Sequence, residues 1–566
     1  MVGENGSGKS NFLHALRLVL DPSLSETARQ LTAEDFWDGL DEPFAGAEIR
    51  VEVELIGFDS DDNAKAILGE FLVGRSPYRA RLTYLYRPRG DLTPADALSD
   101  SDYEVLVFGG SDEGHRVGRA EWRFVSIRVL PALRDAESDL QSTRSPLRRL
   151  VARAKVSEAV LETVAGAIDQ ATGALLGEQP LRHLEEALSH RLHDMVGELF
   201  AVDPTLGVVS ARSDQLLRSL RLFIDVDRRR GVAQASLGTA NLLYLGLLLE
   251  EIAAQSDAGE LVDLILAVEE PEAHLHPHVQ RVLFHHLLQD DRALLVTTHS
   301  PHIASVAPLR SLLLLRETSG ATKGYDVRAA GLSEAQERDI ERYLDVTRAE
   351  MLFARVVVLV EGIAEQYLVP AFATAIGLDL DAHGVTVCSV HGTDFLPYAR
   401  LLSPEGFDIP AVVITDGDAN EEGLPTGLRR SLRLLGGDNG LELENAIAEG
   451  DYARSRAICL EENVFVGERT LELDLLPGAL DVMCAAYGDL EPNSSARGRF
   501  HDSASAATED REAGSDLLRR IERIGKGRFA QRLAERLEGV TPPAYISNAL
   551  AAVSTLVGFG DMESED

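Results

Sequence analysis

Two apolar runs that each stop at carboxylates constrain this chain more than any other feature. The first is RVVVLVEG (355–362), ending at Glu361; the second is AVVITDGD (411–418), ending at Asp416 and Asp418. Continuous β-branched runs bounded by Gly and Pro predict strands buried on both faces, as in a parallel sheet. Ligand crevices of such sheets lie beyond the carboxyl ends of the strands, so both runs deliver acids to one edge. A helix starting at Gly362 would turn Glu361 and Glu365, four apart, toward the same crevice. Asp416 and Asp418 flank one residue and point the same way on an extended chain. Four clustered carboxylates repel one another unless cations sit between them, and oxygen-only ligands suit Mg²⁺ or Mn²⁺. A single EG or DGD after an apolar run is ordinarily a turn or helix cap. Two of them, in this order and with helical intervals between, are a much rarer coincidence.

A Glu closing one strand and a DxD closing a later one resemble the Toprim fold. Farther on, Val464–Leu475 reads as another strand carrying Glu472 and Asp474 at its end, and Lys526 stands between two glycines in GKGRF. With few packing duties, Lys526 is free to meet a pentavalent phosphate or a leaving oxygen; a helix-cap lysine is the alternative.

The chain opens on MVGENGSGKSN, which fills every constrained position of GxxxxGK[ST]. Asn5, Gly6 and Gly8 lie in a loop whose N–H groups curl around phosphates. Lys9 neutralises the β/γ oxygens, and Ser10 offers its hydroxyl to Mg²⁺ at the start of an amphipathic helix. A P-loop follows a strand, and only Met1 and Val2 stand before this one; a few tens of preceding residues are expected. Ser236 and Gly238 head a long apolar helix and suit a phosphate, although a plain capped helix reads the same way. LVDLILAVEEPEAHLHP then ends a buried strand at Glu269, placed to reach Mg²⁺, and Glu270, placed as general base for the attacking water. His299 closes the strand ALLVTTHS like a switch histidine. His274, His276 and His278 alternate among prolines and read as a surface loop rather than a metal site.

These four motifs occur in ABC order and resemble an ABC-type ATPase of the DNA-repair kind. Alternating patterns at 48–58, 79–86 and 103–107 predict antiparallel strands, 122–130 a further strand, and 206–226 a return to strand character. Helical periodicity from 133 to 199 suggests an inserted arm for dimerisation or DNA contact, or simply a packed helical subdomain. The fold class expected is therefore α/β: an ABC-type ATPase domain (1–132 and 200–330) with that arm, then a Toprim domain with C-terminal helices (350–566).

The 566 residues carry a net charge of −37, which argues against tight, metal-free, non-specific DNA binding. Local basic stretches at Arg144–Arg153 and Arg228–Arg230 leave room for a groove, while Asp59–Asp62, Glu421–Glu422 and the Met562–Asp566 tail read as solvated surface. No run approaches the roughly 18 uninterrupted apolar residues of a membrane span, and no signal-peptide core is evident, so a cytoplasmic protein is expected. Cys388, Cys459 and Cys484 have no metal spacing and form no disulfide framework.

The ordered set GENGSGKSN, LAVEEPEAHLHP, VTTHSPHIAS, VVLVEGIAE, ITDGD and KGRF resembles the OLD (overcoming lysogenization defect) family of nucleases over nearly the whole chain. That resemblance implies ATP with one Mg²⁺, and two further Mg²⁺ or Mn²⁺ ions at a DNA endonuclease or nickase site. Glu361, Glu365, Asp416 and Asp418 would be metal ligands, Glu472 a possible further one, and Lys526 an aid to charge neutralisation. It also implies a homodimer and, in some branches, a helicase partner in phage defence. A competing reading is an ATP-gated DNA clamp whose Toprim domain is a relic. Topoisomerase or primase chemistry ranks lower, because Tyr325, Tyr343 and Tyr545 lack a catalytic setting and no zinc site is present.

Overall fold

The computed structural model describes all residues except 43, 45, 93–98, 131–139, 141, 143–144, 177, 197–215, 218–219, 225–229, 259–262, 290–291, 319, 419–424, 508–510 and 559–566. Most of the 206–226 stretch, Arg144, Arg228, Arg229, Glu421–Glu422 and the acidic tail thus lie outside the described residues. The chain divides into two compact units. One comprises Met1–His14, Glu269–Glu272 and His276–Asp566; the other comprises Ala15–Val268 and Ala273–Leu275.

In the second unit, strand Tyr78–Pro88 pairs antiparallel with Ile49–Ile56, Leu72–Arg75 and Tyr103–Gly109. Ile49–Ile56 alternates half-buried and exposed along its whole length, as one wet face demands. Tyr84 and Tyr86 are fully buried, and their hydroxyls donate to the carbonyls of Arg29 (2.5 Å) and Leu31 (3.0 Å), which removes the penalty of burying them. The strand expected over 122–130 is shorter than its pattern. Arg119–Phe124 is helical because Glu121 accepts the Gly118 N–H (2.8 Å), and only Val125–Leu130 is a strand, parallel to Asp263–Val268. Helices Pro146–Arg153, Glu158–Leu176 and Gln179–Val196 occupy the stretch of helical periodicity. Helix Leu237–Asp257 is long and apolar enough to cross a membrane, yet it buries Glu251 against Arg149 in a two-pronged ion pair (2.6 and 2.7 Å), the pattern of a packed core helix. Arg149 is therefore committed to structure, not held for a nucleic acid.

The first unit holds a parallel sheet in the order Val385–Ser389, Val356–Val360, Ala411–Thr415, Val464–Val466. Alternate residues of these strands enter different cores. Val356, Val358, Val360, Val412, Ile414 and Phe465 pack with the C-terminal helices, whereas Val357, Leu359, Val413, Val464 and Val466 pack with Leu401, Phe407 and Leu443. Helices cover both faces, which is why the strands are written without polar alternation. Helix Ile363–Ala375 follows the first of them and packs against helix Lys526–Ala534. Val464–Leu475 is not one long strand. It ends at Val466, and Asp474 accepts the N–H groups of Glu468 (2.9 Å) and Arg469 (3.1 Å) to close a turn into helix Leu471–Leu490. Glu472 is thus on the first turn of a helix, not at a strand end.

Phe372, fully buried on the helix that carries Glu365, anchors this packing. Phe372→Ala is expected to lower unfolding free energy by about 3–5 kcal/mol, read as an earlier denaturant midpoint.

Candidate metal centre and nucleotide site

The strand ends meet as their patterns require. Glu361, Asp416 and Asp418 each turn one carboxylate oxygen into a space where all three lie within 4.8 Å of one another, the one such group of three potential ligands among the described residues. His274, His276 and His278 form no such group. Glu361 Oε1 accepts the N–H of Asp416 (2.9 Å) and the Thr415 hydroxyl. Asp416 Oδ1 accepts the N–H of Leu471 (3.0 Å), fixing that side chain too. Gly417 lets the chain pass, since a Cβ there would lie 2.4 Å from the Gly467 carbonyl. Asp418 does not continue an extended strand: its φ of 42° is left-handed, so the DGD turns sharply and Asp418 joins the group from the bend.

Burial raises the Asp416 carboxyl pKa well above its usual range, and the charges of Glu365, Glu361, Glu472 and Asp418 push it the same way. Glu365 is also raised, first by burial and then by Glu472 and Glu361. It stands at the third position of its helix, where Oε2 accepts the Gly362 N–H (3.1 Å), so part of its capacity goes to a capping box. Glu472, 2% exposed, meets Lys526 at 3.2 Å, while its other oxygen is buried with no partner. Lys526 heads its helix rather than hanging free. Burial pulls its pKa down, but Glu472, Asp416 and Glu365 outweigh that and hold the ammonium charged. An acceptor left unpaired in the interior is destabilising, and a hard cation is the group that satisfies oxygens so placed. The donor set fits Mg²⁺ or Mn²⁺.

Sequence reasoning missed four participants. Arg430 donates to Glu361 (3.0 Å) and Asp418 (2.8 Å), a cation already set into the cluster. Thr415 orients Glu361. The Thr470 hydroxyl is buried without a partner. The Tyr545 hydroxyl is buried without one too, and burial together with Asp416 and Asp474 drives its pKa far up, which keeps it neutral and unsuited as a nucleophile. No spacing rule reaches across such sequence separations, even for Thr415, which adjoins Asp416 but acts on Glu361.

In the same unit, Met1 and Val2 occupy a strand position. Met1 pairs with Val296 and Thr298, and Val2 with Leu313 and Leu315. The loop that follows is curled, with Gly6 and Gly8 at φ 80° and 87°, and helix Lys9–Leu20 begins at once, with Ser10 on its exposed first turn. Lys9 Nζ donates to the carbonyls of Gly3 (2.9 Å) and Glu4 (2.8 Å) and lies 3.5 Å from His299 Nδ1. Burial lowers the pKa of Lys9, and burial followed by Lys9 lowers that of His299, which favours a neutral imidazole. Glu270, in the left-handed region, bonds its N–H to Thr297 and points its carboxylate to 3.6 Å from His299. Glu272, a further residue missed, accepts the Thr298 hydroxyl (2.6 Å) and His299 N–H (2.8 Å) and so holds the histidine's backbone in place. This cradle fits a nucleotide triphosphate with its Mg²⁺. In the other unit, Ser236 caps its helix by accepting the Thr239 N–H (3.2 Å), and at Gly238 a Cβ would lie 2.5 Å from the His274 carbonyl.

Fold and sites together define an ATPase joined to a Toprim domain. Residues 352–418 match the family described as Overcoming lysogenization defect protein-like, TOPRIM domain, and residues 180–304 match the AAA ATPase domain family. An OLD nuclease of Thermus scotoductus is 26% identical over 84% of this chain and 87% of its own. Endonuclease GajA of Bacillus cereus is 27% identical over 35% of each. The solved C-terminal region of the Burkholderia pseudomallei OLD protein is 38% identical, covering 36% of this chain and 99% of that one, with a TM-score of 0.31. The chain belongs to the OLD family and is an ATPase and nuclease of that family.

Removing one charge from the carboxylate cluster should stabilise the metal-free protein. Asp416→Asn keeps the acceptor for Leu471 N–H and is expected to raise the melting temperature at pH 8 by a few degrees, about 1 kcal/mol. Because folding raises the Asp416 pKa, wild-type stability grows as pH falls through the folded value, so the gain must shrink on acidification. Addition of Mn²⁺ should raise the wild-type midpoint and leave that of the Asn variant nearly unmoved. Scanning calorimetry at two pH values checks both.

Proposed function

We propose that the chain is an ATP-binding and ATP-hydrolysing, divalent-metal-dependent DNA endonuclease or nickase. The observation that carries this reading is the convergence of Glu361, Asp416 and Asp418 beside an unpaired, buried Glu472 oxygen. Two divalent ions bound there would polarise the phosphoryl oxygens and stabilise the leaving oxygen of an in-line displacement. Glu361, Asp416 and Asp418 would hold one side of the site, and Glu365 and Glu472 the other. Lys526, kept charged by its acidic neighbours, would face charge that builds on the phosphate. At the nucleotide, Lys9 would leave its loop carbonyls for the phosphates, Glu269 would serve the Mg²⁺, and Glu270 would take the proton of the attacking water while His299 senses the γ-phosphate. Ser236 and Gly238 would serve a partner's nucleotide, which calls for a homodimer. The exposed stripe Val160, Val164 and Ile168 on the 133–199 arm supports one. A cytoplasmic role in phage defence, with a helicase partner, fits the same reading.

One observation favours the second reading, an ATP-gated DNA clamp without catalysis: Arg430 already neutralises part of the triad. Among the described residues it pairs with Glu361 and Asp418 but not with Asp416 or the unpartnered Glu472 oxygen, which is why the nuclease reading is preferred.

Nicking of supercoiled plasmid with Mg²⁺ or Mn²⁺, with and without ATP, tests this. Asp416→Ala should lower nicking more than about a hundredfold and leave ATP hydrolysis intact. Nicking by that variant at the wild-type rate sinks the nuclease. Glu270→Gln should slow ATP hydrolysis by about 10²–10⁴-fold with ATP still bound, as measured by phosphate release and nucleotide retention.

A further inference from the structure

Beside the triad lies a cavity of about 250 Å³ lined by Thr393, Asp394, Phe395, Arg429, Arg430 and Arg433. Arg430 belongs to both places, since the guanidinium that lines the cavity also bonds Glu361 and Asp418. Arg429 and Arg433 stand four residues apart, both exposed, and among the described residues neither has an ion-pair partner. That is unexpected in a chain of net charge −37, where Arg81, Arg87, Arg310, Arg454 and Arg536 all find carboxylates. Among the described lining residues, three guanidiniums face the single acid Asp394, which leaves the cavity net cationic beside the acidic triad.

A nuclease of this charge faces a specific difficulty. Its metal ligands repel the polyanion they must act on, and most of its surface does the same. A strand is held only if cationic groups meet its backbone close to the reacting phosphate. Arginine suits that duty, because its fork of donors matches two phosphate oxygens at once. We propose that this cavity binds the DNA phosphodiester adjacent to the scissile one. Arg429 and Arg433 donate to its non-bridging oxygens, and the Thr393 hydroxyl lies within the same wall. The inference rests on the nuclease reading and adds to it the subsite that holds the strand. The contact is to backbone, so it carries no sequence preference.

The test uses the full-length chain with labelled single-stranded and duplex oligonucleotides, Ca²⁺ replacing Mn²⁺ to permit binding without cleavage, over a series of salt concentrations. Arg429→Gln with Arg433→Gln is expected to weaken binding and, as one phosphate contact is lost, to reduce the magnitude of the log–log salt slope by about 0.9 for duplex or about 0.7 for single strand. Arg429→Lys with Arg433→Lys should restore most of the slope. Both side chains are exposed and, among the described residues, unpaired, so ATP hydrolysis and Mn²⁺ affinity should stay at wild-type values and report an intact fold. Wild-type affinity and slope in the double Gln variant, with the wild type binding and nicking DNA, overturn the subsite and leave the nuclease standing. A wild type that neither binds nor nicks overturns the nuclease reading, and the subsite with it.

Discussion

Mutual repulsion among buried carboxylates is the constraint around which the Toprim-bearing unit is built. At about 5 Å and an effective dielectric near 20, two like charges disfavour each other by about 3 kcal/mol. Glu361, Asp416 and Asp418 are held nearer than that in spite of it. What holds them is backbone. The parallel register sets Val360 beside Ile414, so the strand carrying Glu361 and the strand carrying Asp416 end at the same level. The N–H groups of Asp416 and Leu471 then fasten the carboxylates to the edge they decorate. The strain is local, and the packing that opposes it comes from both faces of the sheet.

That packing explains the order of the C-terminal helices. Helix Leu471–Leu490 delivers Glu472 to the cluster, and helix Lys526–Ala534 delivers Lys526 opposite it. Phe500 of the intervening helix Ser494–Ala506 bridges them, stacked on Tyr487 of the first at 3.9 Å and 6.1 Å from Phe529 of the second. Gly527 allows the second helix to close on Ile363, whose side chain would lie 3.3 Å from any added Cβ. Burial alone lowers the pKa of this partly exposed lysine. The acids Glu472, Asp416 and Glu365 more than reverse that and keep the ammonium charged.

The two strands and their terminal acids were legible because a both-face-buried strand needs an unbroken apolar run, and such a run makes its stopping point conspicuous. The P-loop was legible for a similar reason: Gly6, Gly8 and Lys9 are demanded by one backbone conformation, and little else produces that spacing. Glu472 was found but misplaced, because TLELDLL alternates like a strand. The turn closed by Asp474 is a local side-chain-to-backbone cap that alternation does not encode. Trp122 misled for the reverse reason, its helix resting on one Glu121 cap. Arg430, Thr415, Thr470 and Glu272 escaped notice because each acts on residues remote in sequence or lacks any repeat to betray it. Within the basic stretch Arg144–Arg153, Arg149 serves as an internal counter-charge for Glu251.

Arg430 shows how one residue can serve a site in two chemical states. With no cation beside it, the guanidinium offsets part of the repulsion between Glu361 and Asp418, and the apo fold tolerates its own acids. A divalent ion carries twice that charge and takes oxygen ligands at about 2 Å, closer than any hydrogen bond. It therefore competes for Glu361 and Asp418 on better terms. On the proposed reading, an Arg430 guanidinium displaced by such an ion would stand at the lip of the Arg429–Arg433 cavity, with a strand phosphate as its anionic partner. Metal loading and strand capture would then be linked through a single side chain, the acids and the phosphate sharing one cation in turn.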